Sequence, residues 1–106
     1  MAKFLIEGNY KPEGLRGLHK DKASGRREVL SKAVQALGGK LESLHYCFGE
    51  RDVIAIVDMP DNVAMSALAL AVNGSGTVTG KTTPLLTVEE TDQALAKKTD
   101  YRAPGT

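Results

Sequence analysis

Five consecutive residues, Val53-Ile54-Ala55-Ile56-Val57, offer no polar side chain to either face of a strand. A chain of 106 residues buries one core and has no room for a second domain. Within that limit, a strand that is apolar on both faces belongs in the middle of a sheet, with cover expected on both sides. Its natural neighbour is Phe4-Leu5-Ile6, the bulky opening of a strand over residues 3–10 that runs out at Gly8-Asn9-Tyr10.

The other elements fall around these two. Lys11 to Ala23 carries Pro12, Gly14 and Gly17, which predicts a loop with at most a broken helical turn. Ser24 is placed to cap a helix over Gly25 to Leu37, stopped by Gly38-Gly39, and Val29, Leu30, Ala33, Val34 and Leu37 form its apolar stripe. Lys40 to Phe48 alternates as a strand, with Leu44, Tyr46 and Phe48 on one side and Ser43, His45 and Cys47 on the other. Gly49 to Asp52 closes a hairpin into the apolar strand. Asp61 caps a second helix, Asn62 to Val72, which is apolar almost all round and so calls for a core or a partner; Asn73-Gly74 ends it. Thr77 to Thr83 has edge character, with Gly80 suggesting a bulge and Lys81 discouraging strand addition. Thr87 and Glu90 spell a capping box that opens a short helix through Lys98, and residues 99–106 resemble a frayed tail beyond a single domain over residues 1–98.

Strand, helix, strand, strand, helix, strand is the order of an α+β, ferredoxin-like βαββαβ fold, here with a short C-terminal helix added. In that fold the first and third strands are central, the sheet is antiparallel, and both helices lie on one face. The opposite face, apolar where Leu5, Ile54 and Ile56 fall, is left without cover. Contiguous apolar surface of ~300 Å² or more is unusual on a monomer. A homodimer packed sheet to sheet is therefore expected, with the second helix as a further adhesive surface.

Composition narrows the partners. Charged residues make up 25% of the chain and the formal net charge is +1, so there is no global field for nucleic acid or an anionic membrane. No segment approaches the ~20 apolar residues of a membrane span, and the run at Phe4-Leu5-Ile6 is far too short for a signal peptide. The single Cys47 excludes an intrachain disulfide and suits a reducing compartment, so a cytoplasmic location is expected.

Several segments together resemble the GYD-domain proteins, a bacterial family. They are Glu13-Gly14, Gly17-Leu18-His19-Lys20-Asp21, Gly25-Arg26-Arg27, Gly38-Gly39-Lys40-Leu41-Glu42, Phe48-Gly49-Glu50-Arg51-Asp52, Asp58-Met59-Pro60-Asp61 and Lys81-Thr82-Thr83-Pro84-Leu85-Leu86-Thr87. The resemblance spans nearly the whole chain and implies a dimeric α/β-barrel type of fold. It implies no particular reaction. Arg51 stands where the family's naming signature has Tyr, so any role tied to that phenol does not transfer.

The residues that carry chemistry form three groups. His19-Lys20-Asp21-Lys22 and Ser24-Gly25-Arg26-Arg27 gather cations near a helix start, where free amides and guanidinium groups can hold a carboxylate or phosphate; solvated charge is the plainer explanation. His45 and Cys47 share a strand face about 7 Å apart, a spacing open to a nucleophile pair or half a metal site, although an edge-strand cysteine is commonly just a small hydrophobe. Asp58, at the end of the apolar strand, is a candidate general base beside a pocket under the helices, or simply a turn and ion-pair residue. The leading expectation is a regulatory or binding homo-oligomer that takes a small anionic metabolite through Lys20, Arg26 and Arg27, with His19, Tyr10 and Tyr46 nearby. The alternatives are a cofactor-free isomerase or oxygenase-like enzyme using His19, His45 or Asp58 as base, and a structural assembly module. No cofactor, no metal site, no nucleic acid and no membrane is expected in any of the three.

Overall fold

The computed structural model describes all 106 residues. Seven elements follow in order: β1 (Ala2–Tyr10), α1 (Pro12–Ala36), β2 (Lys40–Tyr46), β3 (Val53–Met59), α2 (Asn62–Gly74), β4 (Val78–Leu85) and α3 (Val88–Ala96). The strands form one antiparallel sheet in the order β2-β3-β1-β4, so the two strands richest in bulky apolar residues are central, as their composition demands. The fold is α+β and ferredoxin-like, with α3 appended.

Register decides which side chains meet the helices. Phe4 pairs with Val57 and both are buried, whereas the next pair, Leu5 with Ile56, points to the opposite face. Phe4, Val57 and Met59 from the sheet join Val34 of α1 and Met65 and Leu68 of α2 in one core. Val34, Val57 and Met59 retain no exposed surface. Gly39 lets the end of α1 come down onto this core: a Cβ there would lie 2.4 Å from both the Asp58 carbonyl oxygen and the Met59 sulfur.

The far side of the sheet has no such cover. Leu5, Ile54 and Ile56 remain partly exposed, so the both-sided burial expected for β3 is achieved on the helix side alone. Charged residues ring the patch: Lys3 bonds Glu42 and, at 2.9 Å, Asp58, while Arg51 approaches Glu7 at 3.6 Å. The two carboxylate hydrogen bonds, that of Glu42 first, hold the Lys3 ammonium above its ordinary pKa.

Four expectations need correction. The predicted loop from Lys11 to Ala23 is largely helical, because α1 starts at Pro12, a residue whose fixed φ and missing N–H suit the first turn. The break falls instead at Lys22, whose φ of 65° and ψ of 162° lie in a region normally left to glycine, and this divides α1 into segments 12–21 and 23–36. Ser24 sits inside the second segment and makes no capping bond. β2 stops at Tyr46, leaving Phe48 in the connection and 99% exposed. The bulge lies in β2, between Leu41 and Ser43, and β4 keeps regular register through Gly80 and on past Pro84 to Leu85. By contrast, the Asp61 cap bonds the Ala64 amide at 2.8 Å, and the Thr87–Glu90 capping box forms in full.

α3 ends at Ala96, two residues short of expectation, and every residue from Leu86 onward is exposed. The radius of gyration, 16.8 Å, exceeds the about 13 Å of a compact chain of this length because this arm projects, stretching the molecule to 56 Å. No helix is long and apolar enough to cross a membrane.

Candidate functional site

Between the helix-bearing face of the sheet and the α1–α2 layer lies a cleft of about 90 Å³. Its walls are apolar, built from Ile6 and Leu44 of the sheet and Leu30 and Val72 of the helices, and Gly8 and Gly80 lie opposite each other in its floor. A side chain at either glycine would occupy the space. At Gly8 a Cβ would meet Val53 at 2.9 Å, whereas at Gly80 the nearest atoms are 3.9 and 4.0 Å away.

Polar groups enter at one end. Tyr10 and Tyr46 stack with ring centroids 6.4 Å apart, and their hydroxyls approach to 3.4 Å. Arg26 lines the same end, with Asp21 at 3.7 Å as its ion-pair neighbour. A second, polar pocket opens at this point in the elbow of α1. Glu13, Gly14, Gly17 and Asp21 line it, and Tyr10, Arg26 and Val78 are common to both spaces. The elbow packs tightly onto the start of β4: a Cβ on Gly14 would lie 2.2 Å from the Thr77 carbonyl oxygen, and the Lys11 amide donates to that same oxygen at 2.9 Å.

The hairpin positions Tyr10. Asp52 accepts from the Tyr10 amide at 2.8 Å through its carboxylate and donates its own amide to the Gly8 carbonyl at 3.0 Å, which ties the β2–β3 connection to the end of β1. Desolvation and the bond to Tyr46 push the Tyr10 phenol well above the ordinary range, with Arg26 only partly opposing them. Tyr10 is thus a neutral hydroxyl at physiological pH, able to donate or accept a hydrogen bond and poorly suited to ionise.

Of the residues singled out from the sequence, Tyr10, Tyr46 and Arg26 meet at the cleft. His19, Lys20 and Arg27 are exposed along α1 and line neither pocket. Asp58 is not under the helices: pairing opposite Lys3 puts it on the other face of the sheet, where it is held in an ion pair. His45 shares that far face, opposite Ile54. Cys47 bonds the Arg51 carbonyl through its thiol at 3.1 Å within the hairpin. No group of three or more His, Cys, Asp or Glu side chains converges. The residues that sequence reasoning passed over are Gly8, Gly80, Glu13 and Asp52. Their roles depend on strand pairing and on the bend at Lys22, and only the low helix propensity around Gly14 and Gly17 marks the region from sequence.

The arrangement suits binding. An apolar slot accepts a ring or branched hydrocarbon, while a guanidinium and two phenols at its open end offer charge and hydrogen bonds to one anionic group. The family model described as the GYD domain matches residues 4–95. No curated protein and no solved structure gives a significant match.

Proposed function

The chain belongs to the GYD-domain family, and from that premise we propose that it binds a small apolar carboxylate in the cleft between sheet and helices, acting as a homo-oligomer without need of a catalytic base. The observation that carries this reading is the half-buried Arg26 at the mouth of an otherwise apolar slot, with its nearest carboxylate no closer than 3.7 Å. A ligand carboxylate can offer that guanidinium the close bidentate contact that Asp21 does not make. Tyr10 and Tyr46 then orient the carboxylate, and the hydrocarbon lies over Gly8 and Gly80.

The open sheet face supports the oligomeric part. Leu5, Ile54 and Ile56 form an apolar centre ringed by Lys3, Glu42, Asp58, Glu7 and Arg51, the arrangement of a protein interface in miniature. We place this homodimer in the bacterial cytoplasm, where the lone Cys47 stays reduced.

Benzoate serves as the probe. Titration calorimetry is expected to show binding to the wild-type protein, weakened about 10- to 100-fold by Arg26→Met, the loss of one charge-assisted bond of about 1.5–3 kcal/mol. Benzyl alcohol binding should be indifferent to the same change, and inorganic phosphate should not compete. Benzoate binding that survives Arg26→Met unaltered would sink the proposal. Sedimentation equilibrium at micromolar concentration tests the dimer separately, and a folded monomer there would refute it.

A further inference from the structure

Two helices in this chain lack complementary things. α2 carries no charged side chain from Asn62 to Gly74, and its outer side exposes Val63 at 78% and Leu70 at 74%, with the small Ser66 and Ala67 between them in a shallow groove. A surface helix ordinarily turns a polar face to water, and α2 has almost none to turn. α3 is the reverse. It is amphipathic, with Glu89, Glu90 and Asp92 as its polar side and Val88, Thr91 and Leu95 at i, i+3 and i+7 as its other side, yet nothing covers Val88 at 74% or Leu95 at 78% exposure. The two stripes match in length, since Val63 to Leu70 and Val88 to Leu95 are each seven residues apart. The small residues midway along α2 also permit the 8–10 Å approach that helix packing requires.

Nothing in the same chain lets α3 reach that groove as it stands. Leu86 and Thr87 are the whole connection from β4, and the capping box fixes its direction: the Glu90 amide donates to the Thr87 hydroxyl at 3.0 Å and the Thr87 amide donates to the Glu90 carboxylate at 2.9 Å. The arm projects instead, within a molecule 56 Å long. A nine-residue helix in water without tertiary contacts is marginal, because nucleation costs more than so few turns return. Its apolar stripe therefore belongs against something outside its own fold.

We infer that α3 is an exchange arm, which lays its Val88–Thr91–Leu95 side onto the Val63–Ala67–Leu70 side of α2 in a second copy of this chain. The inference rests on the homodimer proposed above and adds to it. Four strands about 4.8 Å apart and seven residues long at about 3.3 Å each present a sheet face of roughly 450 Å², short of the about 800 Å² per partner of a standard stable interface. An arm given and an arm received supply much of the difference. Packing in this way also gives α2 the charged outer layer it lacks.

The test uses the full chain and two exposed, fold-neutral double variants, Val88→Asp with Leu95→Asp and Val63→Asp with Leu70→Asp, each checked by circular dichroism melting. Sedimentation equilibrium is expected to show each pair weakening the dimer at least tenfold, and the quadruple variant no weaker than the worse of the two. Amide exchange in α3 of the wild-type protein should be slow at high concentration and should quicken on dilution. Arm variants that dimerise like wild type would overturn the arm while leaving the sheet dimer standing. Additive losses, or α3 protection independent of concentration, would show that the arm docks elsewhere or on its own chain. A monomeric wild-type protein would overturn both proposals together.

Discussion

Replacing Gly80 by valine separates the cleft from the fold that surrounds it. Gly80 lies in register on β4, opposite Gly8, and a Cβ there would rest in ordinary contact 3.9 Å from Asn73 and 4.0 Å from Val72. The valine would point its three added carbons into a cleft of about 90 Å³, enough to displace a bound ring. Stability should rise. A strand glycine costs roughly 0.5–1 kcal/mol in backbone entropy, and partial burial of new methyl groups at about 0.8 kcal/mol per carbon adds to the gain. A net gain of about 1 kcal/mol corresponds to a Tm increase of about 5 °C for a domain of this size. Benzoate affinity should fall at least tenfold, about 1.4 kcal/mol. Calorimetric melting and benzoate titration of the same sample read both effects. A more stable Gly80→Val protein that binds benzoate as wild type does would show that the ligand site is elsewhere. A destabilised one would show that the floor of the cleft is packed and not open.

Three further outcomes follow from the geometry. Gly39→Ala places a methyl 2.4 Å from the Asp58 carbonyl oxygen and the Met59 sulfur, and this overpacking is expected to cost about 2–3 kcal/mol in urea unfolding. Lys22→Gly removes a non-glycine residue from φ 65°, ψ 162° and should stabilise the chain by about 1 kcal/mol, against the usual penalty for glycine near a helix; a loss of stability would mean that the elbow is not strained. The raised pKa of Tyr10 favours its protonated form in the folded state, so its contribution is whole below about pH 10 and is lost as pH climbs from there toward the folded value. The stability difference between wild type and Tyr10→Phe should accordingly shrink above about pH 10, and a difference that stays flat to pH 11.5 would refute the assignment.

Much of the fold was legible because local signals agreed with one another. The apolar run of β3 and the Phe4–Ile6 cluster required central strands, and the sheet order β2-β3-β1-β4 places them there. Asp61 and Thr87 were readable as caps because capping is a matter of a few residues, and both form their bonds. The segment from Pro12 to Asp21 was not legible as a helix. Its propensity is weakened by two glycines, and what selects the helical state is a contact distant in sequence, the close approach of Gly14 to Thr77. The site divides along the same line. Tyr10, Tyr46 and Arg26 could be named from residue type and position, but only the pairing of β1 with β3 and β4, and the bend at Lys22, brings them to one opening. Asp58 and Tyr10 lie near opposite ends of neighbouring central strands, and alternation of side chains about an unknown register leaves their faces undetermined until the strands pair. Residue chemistry and short-range patterning thus settled which elements form and which are central. Register and helix packing, which join residues far apart in the chain, decided which side chains share the cleft and which face was left open.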